Sequence, residues 1–287
     1  MIKSYKARRI ISNTLIYIIL AIMCLIWVSP FAYLLLHSFR GEGYVTVNYL
    51  IPHEFTFKNY IDLFLGTGGD ASINFPRWFL NTLVVAIFSC VISTISVLAV
   101  SYSLSRLRFG ARKKLMNVGM ILGMFPGFMT MIAMYYLLDA MHLTRTLVAL
   151  VICYSCGAGL GFQISKGFFD TIPRALDEAA TIDGANKNQI FWKIILPMSK
   201  PIVVYTVLTS FIGPWCDFIL AKIIMGDDRA NYTVAIGLQA MTTNEFIQAY
   251  YKQYLAGSVC VAVPITILFL RMQKYYVEGV TAGGVKG

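Results

Sequence analysis

Charged residues are scarce in this sequence of 287 residues, of which only 13% are charged while 57% are hydrophobic. In a typical soluble domain about a quarter of the residues are charged. The mean hydropathy of +0.67 agrees with this deficit. The composition therefore excludes an ordinary soluble domain and indicates an integral membrane protein.

Residues that carry chemistry are few as well. The sequence has only three histidines, no Gly-x-x-x-x-Gly-Lys-Ser/Thr loop for a nucleotide and no Ser/His/Asp set. Cys153 and Cys156 form a Cys-x-x-Cys pair, but it lies inside an apolar run without a histidine or a further cysteine pair nearby. We interpret the six cysteines as packing residues. We therefore expect neither an enzyme, nor a metal site, nor a bound cofactor.

Six long apolar runs are present, at about 14–36, 79–104, 115–138, 146–165, 201–224 and 255–277. A helix needs ~20 apolar residues to cross ~30 Å of hydrocarbon, and each run is close to that length. Backbone polar groups in lipid must be hydrogen-bonded within the protein, which favours helices. The sequence thus predicts an all-α membrane protein with six transmembrane helices.

The basic residues are distributed unequally between the two predicted sides of the membrane. Of the 24 Lys and Arg residues, 17 lie on the side that carries both termini and 7 on the other. Loops rich in Lys and Arg stay in the cytoplasm, so both termini are expected there. This bias also explains the formal net charge of +10 without nucleic acid, since no nucleic-acid motif is present.

A polar stretch at 178–201 separates the fourth and fifth apolar runs. Leu176, Ala179 and Ala180 have helical i, i+3, i+4 spacing, and Gly184 follows where a helix end favours a left-handed residue. A second short amphipathic pattern then begins, and Pro197 ends it. The pattern predicts two short helices joined at a glycine, outside the membrane. The alternative that remains open is an ordinary loop between helices.

This stretch resembles the EAA motif of permease subunits in binding-protein-dependent ABC importers: EAA, three residues, G, nine residues, I, one residue, LP. The resemblance implies the type I ABC importer permease fold and a loop that contacts a cytoplasmic ATPase. The ATPase-coupling residues would be Glu178, Ala179, Ala180, Asp183, Gly184, Ile194, Leu196 and Pro197.

The C-terminal residues resemble the tail of MalG-type permeases of the carbohydrate class, with Val280 where that family has Leu. The resemblance implies that the tail contacts the ATPase through Thr281, Ala282, Gly283 and Gly284. In the maltose-type permeases the loop equivalent to 225–254 reaches into the solute-binding protein. This implies docking of a binding protein at Thr233, Gly237 and Gln239.

The fifth apolar run contains Asp217, the only carboxylate well inside a predicted membrane segment. Such a residue usually faces a bundle interior or a wet cavity. Trp215, Asp217 and Phe218 resemble a Trp-x-Asp-Phe pattern of sugar permeases, which makes them candidates for a substrate pathway, with Trp215 as a stacking face for a sugar ring. A structural hydrogen bond of Asp217 is the alternative. Pro126 should kink the third run and is a further candidate for the pathway.

Together these features lead to one expected organisation. A cytoplasmic N-terminus at 1–13 precedes a permease domain at 14–277, which includes the EAA loop at 171–201 and the outer loop at 225–254, and a cytoplasmic tail at 278–287 follows. The resemblance implies a multi-pass protein of the bacterial inner (cytoplasmic) membrane that takes up maltodextrin-like oligosaccharides by alternating access.

The resemblance also implies partners: a second, MalF-like permease, two ATP-binding subunits that hold ATP and Mg²⁺, and an extracytoplasmic solute-binding protein. The sugar stays open, because permeases for galacto-oligosaccharides, other sugars or glycerol-phosphate look similar. Direct sugar contact by this subunit and homodimeric or heterodimeric pairing stay open too. A secondary carrier is the alternative from another class, but it would normally contain more membrane carboxylates.

Overall fold

The computed structural model describes residues 2–43, 45, 47–66, 73–158, 161–243 and 246–284, and it describes no side chains at 2–8, 157–158 and 276–284. The described residues form helices and, apart from one isolated bridge between Arg40 and Phe55, no β-structure. The helices are α1 Ile2–Ser38, α2 Lys58–Leu65, α3 Phe75–Arg106, α4 Arg112–Gly123, α5 Gly127–Ala140, α6 Leu147–Ala158, α7 Phe162–Thr171, α8 Ala175–Ile182, α9 Lys187–Ile190, α10 Leu196–Met198, α11 Lys200–Cys216, α12 Ile219–Met225, α13 Val234–Ala240 and α14 Ile247–Gly284.

The chain divides into two compact units, and the boundary crosses α14. The first unit contains Met1–Ala71 and Ala240–Cys260. Here Asn59 of α2 is buried and donates from its side-chain amide to the carbonyls of Ser38 and Arg40, at 2.9 Å each. The Lys252 ammonium of α14 donates to the Gly41 carbonyl at 3.0 Å. These bonds connect the end of α1 to α2 and α14.

The second unit contains Ser72–Gln239 and Val261–Gly287, and α3 is its central helix. α3 packs against α6, α7 and α11. Small side chains on a helix let neighbouring backbones approach closely, which is how membrane helices associate. One buried stripe of α3 consists almost entirely of such residues: Thr82, Ala86, Ser89, Ser93, Val97, Ser101 and Ser105.

Three helical segments are long and apolar enough to cross a membrane, namely Arg9–Ser38, Phe75–Arg106 and Ile247–Tyr275. Two further helix pairs qualify only jointly: α4 with α5, bent by 101°, and Lys187–Met198 with α11, bent by 85°. The predicted all-helical architecture with several apolar spans is confirmed. The predicted count of six is not confirmed, because the described residues supply three spans, or five if each bent pair is one span.

The departures from six continuous helices have local causes. Pro126 lacks an N–H and has an extended backbone with φ −57° and ψ 125°, so the expected kink is a complete break between α4 and α5. The fifth run breaks at Asp217, whose backbone is also extended. The fourth run is helical as α6, which ends at Ala158, and again from Phe162, where α7 begins.

Candidate functional site

The polar stretch at 178–201 folds as two short helical segments around Gly184, as the sequence predicts. Gly184 has φ +83°, a conformation that glycine adopts without steric cost. Its N–H donates to the Thr181 carbonyl at 3.1 Å, and the Ala185 N–H donates to the Ala180 carbonyl at 2.9 Å. This is the Schellman pattern of bonds, so the end of α8 is fixed in direction.

The segment after the glycine has its own start signal. The Asn186 side chain accepts from the Gln189 N–H at 2.9 Å, and the Gln189 side chain accepts from the Asn186 N–H at 2.8 Å. This reciprocal capping box pairs backbone donors that the start of a helix leaves free. A π-helical turn at Phe191–Ile195 leads from α9 into α10. The change of direction between the two segments is therefore held by backbone and capping bonds.

One face of the EAA loop is packed against α3, α7 and α11 of the same unit. Ala180, Ile190, Phe191 and Ile195 are buried in a cluster with residues of α3, α7 and α11, namely Leu98, Tyr102, Phe169 and Ile202. The Tyr102 hydroxyl also donates to the Lys187 carbonyl at 3.2 Å. Burial of one large aliphatic side chain stabilises by about 1.5–3 kcal/mol, so this cluster holds the loop as one body with α3.

The opposite face of the loop is exposed. It presents Glu178, Ala179 and Asp183, together with Ile182, whose side chain is 86% exposed. Of the predicted coupling residues, Pro197 is also exposed and Ile194 and Leu196 are half-buried, whereas Ala180 lies in the core. Ala179 and Ala180 therefore point to different sides of α8, contrary to the single face that their spacing suggested. Sequence reasoning missed Ile182. A large apolar residue that lies outside the buried stripe of a polar helix indicates a contact with a partner, and this signal was available in the sequence.

Arg106, at the end of α3, connects that helix to both α7 and α8. Its guanidinium donates to Asp177 Oδ2 at 2.9 Å and to the carbonyls of Phe169 and Ile172 at 2.6 and 2.7 Å. The Arg106 side chain is only 4% exposed, and that of Asp177 is 16% exposed. The two carbonyls belong to the end of α7, where orphan acceptors need partners. Sequence reasoning did not identify this internal role.

A second polar contact lies one residue earlier on α3. The Ser105 hydroxyl donates to Asp170 Oδ1 and the Lys166 ammonium donates to Asp170 Oδ2, both at 2.6 Å. Burial opposes ionisation of Asp170, but the hydrogen bonds from Lys166 and Ser105 outweigh it and hold the pKa of this carboxyl below its usual value. Asp170 is thus ionised at neutral pH and ties α7 to α3.

The candidates for a substrate pathway in the fifth run are placed differently from the expectation. Trp215 is 2% exposed, and its indole packs against Phe79 and Phe211 at ring-centroid distances of 5.1 and 6.0 Å. It therefore offers no free stacking face in this conformation. Asp217 accepts from the Leu220 N–H at 3.1 Å, so its carboxylate pairs with a donor in the first turn of α12. Phe218 is half-buried, and Pro126 is exposed at the break between α4 and α5.

The segment at 226–239 is bound to the start of α3. Trp78 Nε1–H donates to the Arg229 carbonyl at 3.0 Å, the Asn81 amide donates to the carbonyls of Ala230 and Tyr232 at 3.0 Å each, and the Val234 N–H donates to Thr82 Oγ1 at 2.7 Å.

Of the three residues predicted to dock a binding protein, only Gln239 is exposed. Thr233 and Gly237 are buried. A Cβ on Gly237 would overlap the indole ring of Trp78, so this position needs a glycine for close approach. The expected docking surface at Thr233 and Gly237 is thus an internal packing surface. The four predicted tail residues, Thr281–Gly284, continue α14 in their backbone, and their side chains lie outside the described residues.

Residues 95–281 match the family described as the binding-protein-dependent transport system inner membrane component. Two curated relatives align along their whole length and that of this chain. They are the galactooligosaccharides transport system permease protein GanQ of Bacillus subtilis (strain 168), 33% identical over 288 residues, and the maltodextrin transport system permease protein MalD of Streptococcus pneumoniae (strain ATCC BAA-255 / R6), 31% identical over 292 residues.

The fold agrees with this match. A solved bacterial ABC transporter involved in the import of the acidic polysaccharide alginate contains a chain that superposes with a TM-score of 0.76. The match covers 93% of this chain and 96% of that chain at 22% sequence identity, so it shows the fold alone. With several apolar spans, this chain is a multi-pass membrane protein and a translocation subunit rather than an enzyme. The chain belongs to the binding-protein-dependent transport system inner membrane component family of ABC importer permeases.

Proposed function

We propose that this chain is the permease through which an ABC importer takes up oligosaccharides of the maltodextrin or galacto-oligosaccharide type. The observation that carries the proposal is identity of 31–33%, over the full chain, to permeases named for these two sugar classes. Permeases for other carbohydrates share the same architecture, so the choice among sugars requires a direct assay.

The proposed assembly contains this chain, a second MalF-like permease, two ATP-binding subunits and an extracytoplasmic solute-binding protein. ATP and Mg²⁺ bind to the ATP-binding subunits. The excess of Lys and Arg on one side of the apolar runs supports an orientation with both termini and the EAA loop in the cytoplasm. This proposal places 1–13 and 278–287 on the cytoplasmic side of a permease domain at 14–277 in the bacterial inner membrane.

In the proposed mechanism, the exposed face of the EAA loop docks on an ATP-binding subunit and moves with it as a rigid body. Glu178 supplies a negative charge for a basic group, Ala179 lets the partner approach closely, and Ile182 supplies an apolar anchor. The edge of this contact surface is formed by Asp183, Ile194, Leu196 and Pro197. Ala180 and Gly184 do not contact the partner in this proposal but hold the shape of the loop from inside. The tail at Thr281–Gly284 is proposed as a second contact with the same partner.

The contacts of Arg106 give a route for this movement into the membrane. Its ion pair with Asp177 in α8 and its bonds to the end of α7 mean that a shift of the loop displaces the end of α3 as well. On the other side of the membrane, docking of the binding protein is proposed at Gln239 and not at the buried Thr233 and Gly237.

The ATPase activity of the reconstituted complex tests this function. The binding protein is added empty, loaded with a maltodextrin, or loaded with a galacto-oligosaccharide. Stimulation of hydrolysis by one loaded form and not by the empty protein is the expected result and identifies the sugar. Failure of any ATP-binding subunit to co-purify with this chain would contradict the importer function. Stimulation by a non-carbohydrate solute alone would keep the importer and reject the sugar.

A further inference from the structure

A cavity of ≈ 290 Å³ lies within the second unit, between α3, α6, α7 and α11. α11 provides most of its wall, from Tyr205 to Pro214, while α6 contributes Tyr154 and α7 contributes Ile164 and Ser165. These helices lie in or next to the apolar runs that the sequence assigns to the membrane. The cavity therefore lies in or next to the segments that the sequence predicts to cross the membrane.

The wall of this cavity carries hydroxyl groups and no formal charge. Its polar side chains are Tyr154, Ser165, Tyr205, Thr206, Thr209 and Ser210. The hydroxyls of Thr206 and Thr209 donate to carbonyls of their own helix, at 2.8 Å to Ile202 and 2.9 Å to Tyr205. Each of these two hydroxyls can therefore only accept a hydrogen bond from a ligand. The wall itself suits a neutral solute with many O–H groups.

Tyr154 supplies the complementary donor. Its hydroxyl is buried and has no hydrogen-bond partner within bonding distance among the described residues. The Asp217 carboxylate acts on this hydroxyl through its charge and as an acceptor outside good hydrogen-bond geometry, so a well-placed ligand oxygen would compete with it. A buried hydroxyl without a well-placed partner is destabilising, so a ligand or a water that bonds to it recovers free energy. Ser155, the next residue of α6, also has a buried hydroxyl without a partner.

Size and shape restrict the ligand further. Sites for small molecules typically measure ~300–1,000 Å³, so ≈ 290 Å³ accommodates one ring and not a whole oligosaccharide. Tyr154 and Tyr205 provide aromatic surfaces against which the C–H face of a pyranose can pack. A lipid chain would offer no hydrogen bond to the Tyr154 hydroxyl.

We propose that this cavity is a sugar subsite on the translocation route, which holds one pyranose unit of the passing oligosaccharide, with the Tyr154 hydroxyl hydrogen-bonded to a sugar hydroxyl. The inference rests on the proposed function, since it requires that the transported solute is a carbohydrate. It also assigns a direct sugar contact to this subunit.

The test uses the complete complex in proteoliposomes, with its binding protein and the sugar that stimulates ATP hydrolysis. Uptake is compared for wild type, Tyr154→Phe and the control Tyr136→Phe, whose tyrosine lies on α5 and is 67% exposed. Tyr154→Phe is expected to lower the uptake rate about fivefold, the effect of one lost hydrogen bond, while Tyr136→Phe leaves uptake unchanged. Ser210→Ala is a second variant, with an expected loss of about twofold, in case Tyr154→Phe fails to assemble.

Oligosaccharides that lack single hydroxyls separate a sugar contact from a structural role. Wild type should discriminate against one deoxy position, and Tyr154→Phe should lose that discrimination while binding-protein-stimulated ATP hydrolysis persists. Equal loss of uptake for every analogue, or unchanged uptake in Tyr154→Phe and Ser210→Ala, would overturn the subsite and leave the importer function intact. A wild-type complex that imports no oligosaccharide would overturn the proposed function and the subsite with it.

Discussion

The EAA loop and the segment at 226–239 are bound to opposite ends of α3, by different chemistry. At the end of α3, a buried guanidinium pairs with Asp177 and bonds to two carbonyls. At the start of α3, neutral side chains of Trp78, Asn81 and Thr82 bond to the backbone of the segment. The inner face of the EAA loop is packed and its outer face is exposed, whereas the 226–239 segment buries Thr233 and Gly237, two of the three residues expected to dock a partner. The two regions therefore differ in the exposure of their candidate docking residues, which the sequence motifs alone do not reveal.

Loss of the Arg106 ion pair is expected to have the largest effect. Arg106→Ala leaves the Asp177 carboxylate buried without its cation, which destabilises by about 3–5 kcal/mol. The thermal unfolding midpoint of the purified complex should fall strongly, and coupling of uptake to ATP hydrolysis should be lost. Arg108→Ala is the matched control, because Arg108 lies two residues away and is exposed. Equal behaviour of the two variants would show that the connection between α3 and α8 does not matter.

At the start of α3, a larger side chain at Gly237 is expected to lower the stability of the protein. Gly237→Ala places a methyl group where the Trp78 ring lies, and overpacking of this kind costs about 1–3 kcal/mol. A lower unfolding midpoint is expected, with Gly167→Ala as control, since a Cβ there has no neighbour within 4 Å. If Gly237→Ala retained wild-type stability but lost binding-protein stimulation, Gly237 would be a docking residue after all, and the contrast between the two regions would fail.

A smaller loss of stability is expected for a substitution at Gly184. The space around this residue is open, so an added methyl group overlaps with no neighbour and causes only backbone strain. Gly184→Ala imposes a left-handed conformation on an L-residue, at about 1–2 kcal/mol. The angle between the two short helices should change. Uptake should therefore decrease clearly, while the unfolding midpoint decreases only slightly. Gly110→Ala, in the loop before α4 and likewise without neighbours within 4 Å, is the control. Full activity of Gly184→Ala would contradict a fixed loop geometry.

Stability should change least at Ile182, on the exposed face. Ile182→Gln alters an 86% exposed side chain, and surface substitutions usually change stability by less than about 0.5 kcal/mol. The variant should fold normally but bind the ATP-binding subunits more weakly, as measured by their retention on the purified permease. Thr181→Gln, also exposed on α8, controls for position. Wild-type retention of the partner by Ile182→Gln would remove Ile182 from the proposed contact.

Local sequence signals predicted the parts of the site that local forces determine. The turn at Gly184 follows from the conformational freedom of glycine, and a change of direction at Pro126 follows from the missing N–H, although the structure has a break where a kink was predicted. Burial of Thr233 and Gly237 was not predictable in this way, because their segment packs on α3 through Trp78, Asn81 and Thr82, about 150 positions earlier in the sequence. The role of Arg106 was missed for the same reason, since its partners become neighbours only when α7 and α8 pack on α3.

Uptake of sugar by proteoliposomes that contain the complete complex, with wild type compared with Glu178→Lys, tests the central claim most directly. Glu178 is exposed on α8, so the substitution should leave membrane insertion and the fold intact. Uptake and binding-protein-stimulated ATP hydrolysis should both be abolished, because the reversed charge repels the basic group proposed on the ATP-binding subunit. Wild-type uptake by Glu178→Lys would contradict the proposal that this loop couples ATP hydrolysis to transport.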